Sequence, residues 1–290
     1  MRSMLFVPAD SEKKLAKGLA SGADALIIDL EDSVALANKE AARRMAAEFI
    51  ATTRTGPALY VRVNDLSSGM TDDDLAAVMK AGPAGIMLPK SNGGEDVARL
   101  DVRLRVHEAE NGIADGATRI MPIITETPAA VLAAASYAGA SARLSGLTWG
   151  AEDLSAEVGA SATRDETGRY TDLFRFARLS TILAATAAEV APIDTVFPNF
   201  RDEDAFLRDC REGERDGFTG RMAIHPAQVP VINEVFTPSP EAAAEARAVI
   251  DAFAAAGNPG VVAIDGKMYD RPHLKRAERL LARTKPAGAA

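Results

Sequence analysis

The sequence predicts an α/β fold, a (β/α)8 TIM barrel followed by a C-terminal helical extension. Three observations carry this. Short apolar runs of strand length alternate with longer stretches rich in Ala, Glu and Arg along most of the 290 residues. About eight such units follow one another, the number that closes a TIM barrel. The runs are apolar almost throughout, Ala25-Leu26-Ile27-Ile28-Asp29-Leu30 being typical, which suits strands buried on both faces of a parallel sheet. An open doubly wound sheet is the alternative. It calls for a Gly-rich turn after the first strand, where this chain reads Val7-Pro8-Ala9-Asp10-Ser11, and no Gly-x-Gly-x-x-Gly occurs. Gly266-Lys267 is followed by Met268, so it is not a phosphate-binding P-loop either.

Strands are expected at 4–8, 25–30, 58–63, 85–89, 119–125, 146–150, 192–197 and 221–224, with helices at 11–22, 39–52, 71–81, 95–111 and 172–190. The Ala-rich stretch 129–142, broken by Ser136 and Tyr137, reads as a buried amphipathic helix, since no run approaches the roughly 18 to 20 apolar residues that span a bilayer. Beyond Pro226 the pattern changes. Pro238-Ser239-Pro240 opens a helix over 241–256, which Gly257-Asn258-Pro259-Gly260 ends. The apolar run 261–264 then leads through Asp265 to Pro272 into a final basic helix. This divides the chain into a barrel domain, 1–230, and a helical extension or lid, 231–285, that packs on the rim or on a neighbouring subunit. Residues 286–290 are expected to be a disordered tail.

Lys and Arg number 33 against 41 Asp and Glu, a net charge of −8, which excludes the basic footprint of a nucleic-acid binder. The single cysteine, Cys210, allows neither an internal disulfide nor a Cys-based zinc site, and its neighbours Asp209, Arg211 and Glu212 offer no base. Residues 1–8 are apolar for too short a run to be a signal peptide. The expectation is a cytoplasmic enzyme with no membrane partner.

In an α/β barrel the reacting groups sit at the C-terminal ends of the strands. Those positions read Asp29-Leu30-Glu31-Asp32, Arg62-Val63-Asn64, Pro89-Lys90, Thr125-Glu126-Thr127, Trp149-Gly150-Ala151-Glu152-Asp153 and Ile224-His225-Pro226. They form a ring of carboxylates with two cations. Oxygen ligands without a Cys/His set favour Mg²⁺ or Mn²⁺ over zinc, and Glu126 with Asp153, on neighbouring strands, is the best pair. Acidic residues at strand ends can also simply cap the next helix. Arg62 can hold a substrate carboxylate or stabilise an enolate oxygen, or it can form a salt bridge to Glu31 or Asp29. His225, just before Pro226, suits a general base or a structural, substrate-shaping role; His107 and His273 lie in charged helical contexts facing solvent.

With these residues set out, the sequence resembles the CitE-like branch of the HpcH/HpaI aldolase and citrate lyase β-subunit family, which includes malyl-CoA and citramalyl-CoA lyases. The motifs are Arg-Ser-Met-Leu-Phe-Val-Pro-Ala at 2–9, Asp-Leu-Glu-Asp-Ser-Val at 29–34, Arg-Val-Asn at 62–64 and Leu-Pro-Lys at 88–90. Ile-Thr-Glu-Thr at 124–127, Trp-Gly-Ala-Glu-Asp-Leu at 149–154 and Phe-Pro-Asn-Phe at 197–200 continue the match. Ala-Ile-His-Pro-Ala-Gln at 223–228 and Asp-Gly-Lys-Met-Tyr-Asp-Arg-Pro at 265–272 complete it. One departure is Ala9, where relatives often carry glycine.

The resemblance implies a Mg²⁺-dependent carbon–carbon lyase, assembled as a homotrimer or hexamer. Its substrate would be a β-hydroxyacyl-CoA thioester of the malyl, citramalyl or β-methylmalyl type, split into glyoxylate or pyruvate and acetyl-CoA or propionyl-CoA. Glu126 and Asp153 would hold the metal, Arg62 would lie beside the thioester, and Gly150, Ala151 and Glu152 would line the substrate. Asp270 would close over a neighbouring subunit's site as the acid or base at the enolate carbon, with a pKa shifted by burial. Arg2, Lys13, Lys14, Lys17, His225 and Pro226 are the candidates on the CoA side. The alternatives are a malyl-CoA thioesterase or malate-synthase-like enzyme, with Glu31 or Asp32 positioning water, and a citrate lyase β subunit acting on an acyl-carrier thioester.

Overall fold

The structure, a computed structural model, describes residues 1–284; the expected disordered tail, 286–290, lies outside the described residues. The described chain divides into two compact units, Met1–Asn233 and the residues from Glu234 on.

The first unit alternates strands and helices: β1 (Ser3–Pro8), α1 (Glu12–Leu19), β2 (Ala25–Asp29), α2 (Lys39–Thr52), β3 (Ala58–Arg62), α3 (Thr71–Val78), β4 (Gly85–Leu88) and α4 (Gly94–Glu110). It continues with β5 (Arg119–Pro122), α5 (Pro128–Leu132), β6 (Gly146–Leu147), α6 (Ala151–Val158), α7 (Asp172–Ala187), β7 (Ala191–Asp194), α8 (Glu203–Asp216), β8 (Gly220–Ala223) and α9 (Gln228–Val235). The eight strands form one sheet in the order β5-β4-β3-β2-β1-β8-β7-β6. Every pairing in it is parallel. Bridges Ile120–Leu144 and Ile123–Thr148 join its two ends and complete the TIM-barrel ring.

Those last strands are shorter than expected. β5 stops at Pro122 and β6 at Leu147, although Ile124 N–H still donates to the Thr148 carbonyl (2.9 Å) and Thr148 N–H to that of Pro122 (3.2 Å). Pro122 supplies an acceptor but no donor, so the ladder thins there. Inside the ring, Met4, Ile27, Tyr60, Met87, Met121 and Met222 pack into a filled core, because alternate residues of each strand point inward. The strand-end residues are thereby pushed to one rim.

The expected helix over 129–142 is a correction. Only α5 is helical there, followed by a 3₁₀ turn at residues 134–137, and Leu132 is exposed. Ser136 Oγ donates to the Ala133 carbonyl (2.6 Å) and accepts the Gly94 N–H (2.9 Å), so this turn caps α4 instead of extending α5. Tertiary capping overrides the alanine propensity.

The second unit comprises α10 (Pro240–Ala255), the antiparallel hairpin β9 (Val261–Ile264) with β10 (Lys267–Asp270), and α11 (Arg271–Ala282). Val249, Phe253, Val262 and Leu274 make its core. The apolar run 261–264, expected alone, pairs with a second strand, β10. The signal was Asp265-Gly266, whose φ angles of 47° and 75° are those of a two-residue hairpin turn. Among the described residues no helix is long and apolar enough to cross a membrane.

Candidate active site

A cavity of about 280 Å³ opens at the C-terminal ends of the barrel strands. Phe6, Asp29, Arg62, Glu126, Asp153 and Thr195 are among its walls, with Gly150, Ala151 and Glu152 on the β6 side. All come from the ends of strands or the loops after them, where the barrel rule places chemistry.

Arg62 is held from three sides. Its Nε and Nη2 donate to the two Asp29 oxygens, both at 2.7 Å, its Nη1 lies 2.8 Å from Glu31 Oε2, and its guanidinium stacks 4.9 Å from the Phe6 ring. Parallel pairing sets Asp29 directly beside Arg62. Arg62 is thus salt-bridged to both Asp29 and Glu31, and it also lines the cavity. Burial raises the Asp29 carboxyl, but the Arg62 guanidinium outweighs it and holds the group below its usual range.

Glu31 is buried and also meets Lys90, whose Nζ lies 2.5 Å from its Oε1; burial pushes the Glu31 carboxyl up against the pull of both cations. Asp32 is exposed, 3.5 Å from the same ammonium. Behind them the buried Lys39 Nζ donates to the carbonyls of Leu30 (2.6 Å) and Glu31 (2.8 Å) and to Asn64 Oδ1 (2.7 Å), which fixes the path of the chain after β2.

Glu126 is 2% exposed. Its Oε2 accepts the backbone N–H of Lys90. Burial raises its carboxyl well above the ordinary value, and the negative charge of Asp153 adds to that. Gly150 is required beside it, since a Cβ there would meet Glu126 Cγ at 2.8 Å. Asp153 lies in the first turn of α6, its side chain about one-third exposed and its Oδ1 4.0 Å from Lys90 Nζ.

A divalent cation fits this corner. Two carboxylates of like charge face one cavity, one of them destabilised as an anion by burial and by the other. Among the described residues no group of three or more His, Cys, Asp or Glu is gathered as a ligand set. A metal would rest on the two carboxylates, the number Mg²⁺ commonly takes from protein, with water and substrate oxygens completing its shell.

Because Glu126 has a raised native value, the folded metal-free protein keeps a proton that the unfolded chain gives up at about pH 4.3. The associated stability is complete below that pH and is lost as pH rises through the raised native value. Thermal melts in EDTA should show stability falling above about pH 5, and Glu126→Gln should flatten that fall. A parallel decline in both proteins would show that Glu126 does not hold the proton.

Other expected site residues lie apart. Arg2 precedes β1, at the opposite rim, with Nε and Nη2 on Asp24 at 3.0 and 2.7 Å. A residue before a barrel strand is one strand length from the residues after it. Lys13, Lys14 and Lys17 are exposed on α1, which follows β1 at the cavity rim. His225 stacks on Phe200 (ring centroids 4.6 Å apart) and accepts the Ala227 N–H at Nδ1 (3.2 Å), beside the half-buried Pro226. Asp270 is in the second unit, where it caps α11 with His273 in a capping box. That bond holds its carboxyl below the usual range and leaves it half exposed, so the burial expected to shift it is not found within the chain. His273 thus has a structural partner, and His107 is largely covered, 3.6 Å from Glu110, where both were read as facing solvent. Cys210 is buried, its thiol pushed up to about 11 by burial.

Lys90 is the residue whose role the sequence reading left unassigned, although its place at the end of β4 marked it. Thr195, after β7, was also passed over. The signal there was weak, a neutral side chain among charged ones.

The chain matches the model of the HpcH/HpaI aldolase/citrate lyase family over residues 2–226 and belongs to that family. It is 34% identical to the citrate lyase subunit beta of Leuconostoc mesenteroides subsp. cremoris over 97% of this chain and 92% of that one. It is 31% identical to the mitochondrial citramalyl-CoA lyase of Rattus norvegicus, over 97% and 85%. Among solved structures, the protein CitE from Mycobacterium tuberculosis, in complex with magnesium, acetoacetate and coenzyme A, superposes with a TM-score of 0.75 at 32% identity, covering 98% of this chain and 97% of that one.

Proposed function

We propose that this member of the HpcH/HpaI aldolase/citrate lyase family is a Mg²⁺- or Mn²⁺-dependent carbon–carbon lyase acting on a β-hydroxyacyl-CoA thioester of the malyl, citramalyl or β-methylmalyl type. The observation that carries this reading is the shared cavity of Glu126, Asp153 and Arg62: two carboxylates suited to a metal beside a nearly buried guanidinium. The names of the similar lyases, and the magnesium and coenzyme A bound by the Mycobacterium tuberculosis protein, support it.

Glu126 and Asp153 would hold the cation, which when bound supplies the Lewis acidity that eases loss of the substrate's hydroxyl proton. Arg62, pinned by Asp29, presents its guanidinium to the oxygen where enolate charge develops, and needs no reorganisation to do so. A cavity of about 280 Å³ suits a small oxo acid and leaves the CoA nucleotide outside, toward Lys13, Lys14 and Lys17. Asp270 would exchange the proton at the enolate carbon from a neighbouring subunit of a homotrimer or hexamer. Covering its half-exposed carboxyl would supply the shift that the single chain lacks.

The test is a screen of malyl-CoA, citramalyl-CoA, β-methylmalyl-CoA and citryl-CoA with Mg²⁺, following 2-oxo acid and free CoA together. Oxo acid without free CoA supports the lyase. Free CoA with malate from acetyl-CoA plus glyoxylate makes it a thioesterase or malate-synthase-like enzyme. No turnover of any CoA ester points to an acyl-carrier thioester, as for a citrate lyase β subunit.

Asp270→Asn is expected to spare CoA binding and lose turnover by about a hundredfold or more, the scale of a lost general acid. Mixing Asp270→Asn with Arg62→Ala protomers should restore partial activity. Absence of rescue, with subunit exchange verified, would mean that each site is complete within one chain.

A further inference from the structure

We propose that Lys90 is an internal cation of the carboxylate ring that competes with the divalent metal, so that its ammonium sets how tightly the metal-free site takes up that ion. This rests on the reading of Glu126 and Asp153 as the metal ligands.

The first observation is backbone conformation. Lys90 adopts φ +50°, left-handed backbone, and it is one of only four non-glycine residues to do so among those described. This geometry lets its N–H reach Glu126 Oε2. Glycine would meet that need without strain, so the lysine here carries a backbone cost that its side chain can offset only by its own contacts.

The second is charge. Asp29, Glu31, Asp32, Glu126 and Asp153 supply five carboxyl groups to this rim, against the two cations Arg62 and Lys90 in it and Lys39 buried behind it. Arg62 is committed by its bidentate bond to Asp29 and is nearly buried. Lys90 is different. Its side chain is one-third exposed, and its Nζ lies among Glu31 (2.5 Å), Asp32 (3.5 Å) and Asp153 (4.0 Å). It is the more exposed cation of the pair, and it sits within Coulomb range of one of the two ligands a metal would use.

A divalent ion arriving at Asp153 therefore meets a positive charge already there. Binding draws Asp153 away from the ammonium, which stays with Glu31. In the metal-free protein the same ammonium relieves the repulsion among the carboxylates. Lys90 is a positioning residue by its main chain, through Glu126, and a charge competitor by its side chain.

The experiment is Mn²⁺ titration of metal-stripped, full-length protein, read by the loss of the free-ion electron paramagnetic resonance signal without substrate. Lys90→Met, which removes only the ammonium, is expected to bind Mn²⁺ about tenfold more tightly than the unaltered protein. Lys90→Gly keeps the left-handed backbone at no cost and should show the same gain, so the result does not depend on one variant folding. Both should also melt lower in EDTA and show a larger thermal shift on adding Mn²⁺. Equal or weaker Mn²⁺ affinity in both variants would overturn the proposal and leave Lys90 a holder of Glu31. The metal reading has its own control. If the unaltered protein binds no Mn²⁺, or if Glu126→Gln binds it equally well, the ligand assignment fails first and the inference with it.

Discussion

Glu126→Gln is expected to reduce metal-dependent turnover on the order of a thousandfold or more with the barrel intact, because several kcal/mol of charge stabilisation pass through a bound metal and about 1.4 kcal/mol is tenfold in rate. The substitution is chosen to isolate that effect. A glutamine can still accept the Lys90 N–H, keeps the volume that Gly150 makes room for, and removes a charge that burial already disfavours. Stability should therefore hold or rise, while Mn²⁺ binding is lost. Asp153→Ala should behave alike in turnover, with less consequence for the fold because its side chain is one-third exposed. Full activity of either variant in the presence of EDTA would remove the metal from the reaction.

Asp194→Ala should give the largest loss of stability in the barrel, about 3–5 kcal/mol, the scale on which a broken buried ion pair leaves its partner uncompensated. Asp194, at the end of β7, is fully buried. It accepts Trp149 Nε1 (2.8 Å) and Arg178 Nη2 (2.6 Å), and lies 3.3 Å from Arg221 Nη1. Arg221 is itself fully buried, so without Asp194 it depends on Asp209 at 2.6 Å, while Arg178 keeps Glu212 at 3.6 Å and Asp209 at 3.8 Å. Asp194→Asn should cost less, since an amide oxygen can still serve Trp149. Denaturant unfolding followed by the fluorescence of Trp149, the chain's one tryptophan, reads this directly. A loss under about 1 kcal/mol for the alanine variant would mean that Asp209 and Glu212 suffice to balance the two arginines. The network also bears on chemistry, because Trp149 immediately precedes Gly150 and the turn that carries Asp153.

Sequence alone determined the class of fold and the rim on which chemistry lies. Apolar runs such as Ala25 to Leu30 and the helix at 39–52, found where expected, are local patterns whose period and length record burial. The barrel rule then turns strand ends into neighbours, which is how Glu31, Arg62, Glu126 and Asp153 could be singled out before their contacts were known. Only the tertiary structure decided which groups meet. That Asp29 takes two nitrogens of Arg62, that Glu31 joins Arg62 to Lys90, and that the charge of Asp153 bears on the buried Glu126 all depend on the pairing of strands far apart in the chain. Arg2 shows the same limit from the other side. Its neighbours in sequence lead into the site, yet it lies at the start of β1 and spends its charge on Asp24. Nor could alanine propensity at 129–142 foresee that Ser136 would be drawn off to cap α4. Periodicity encodes which face of an element is buried; the partner of a given charge is set by long-range register, and no local pattern carries it.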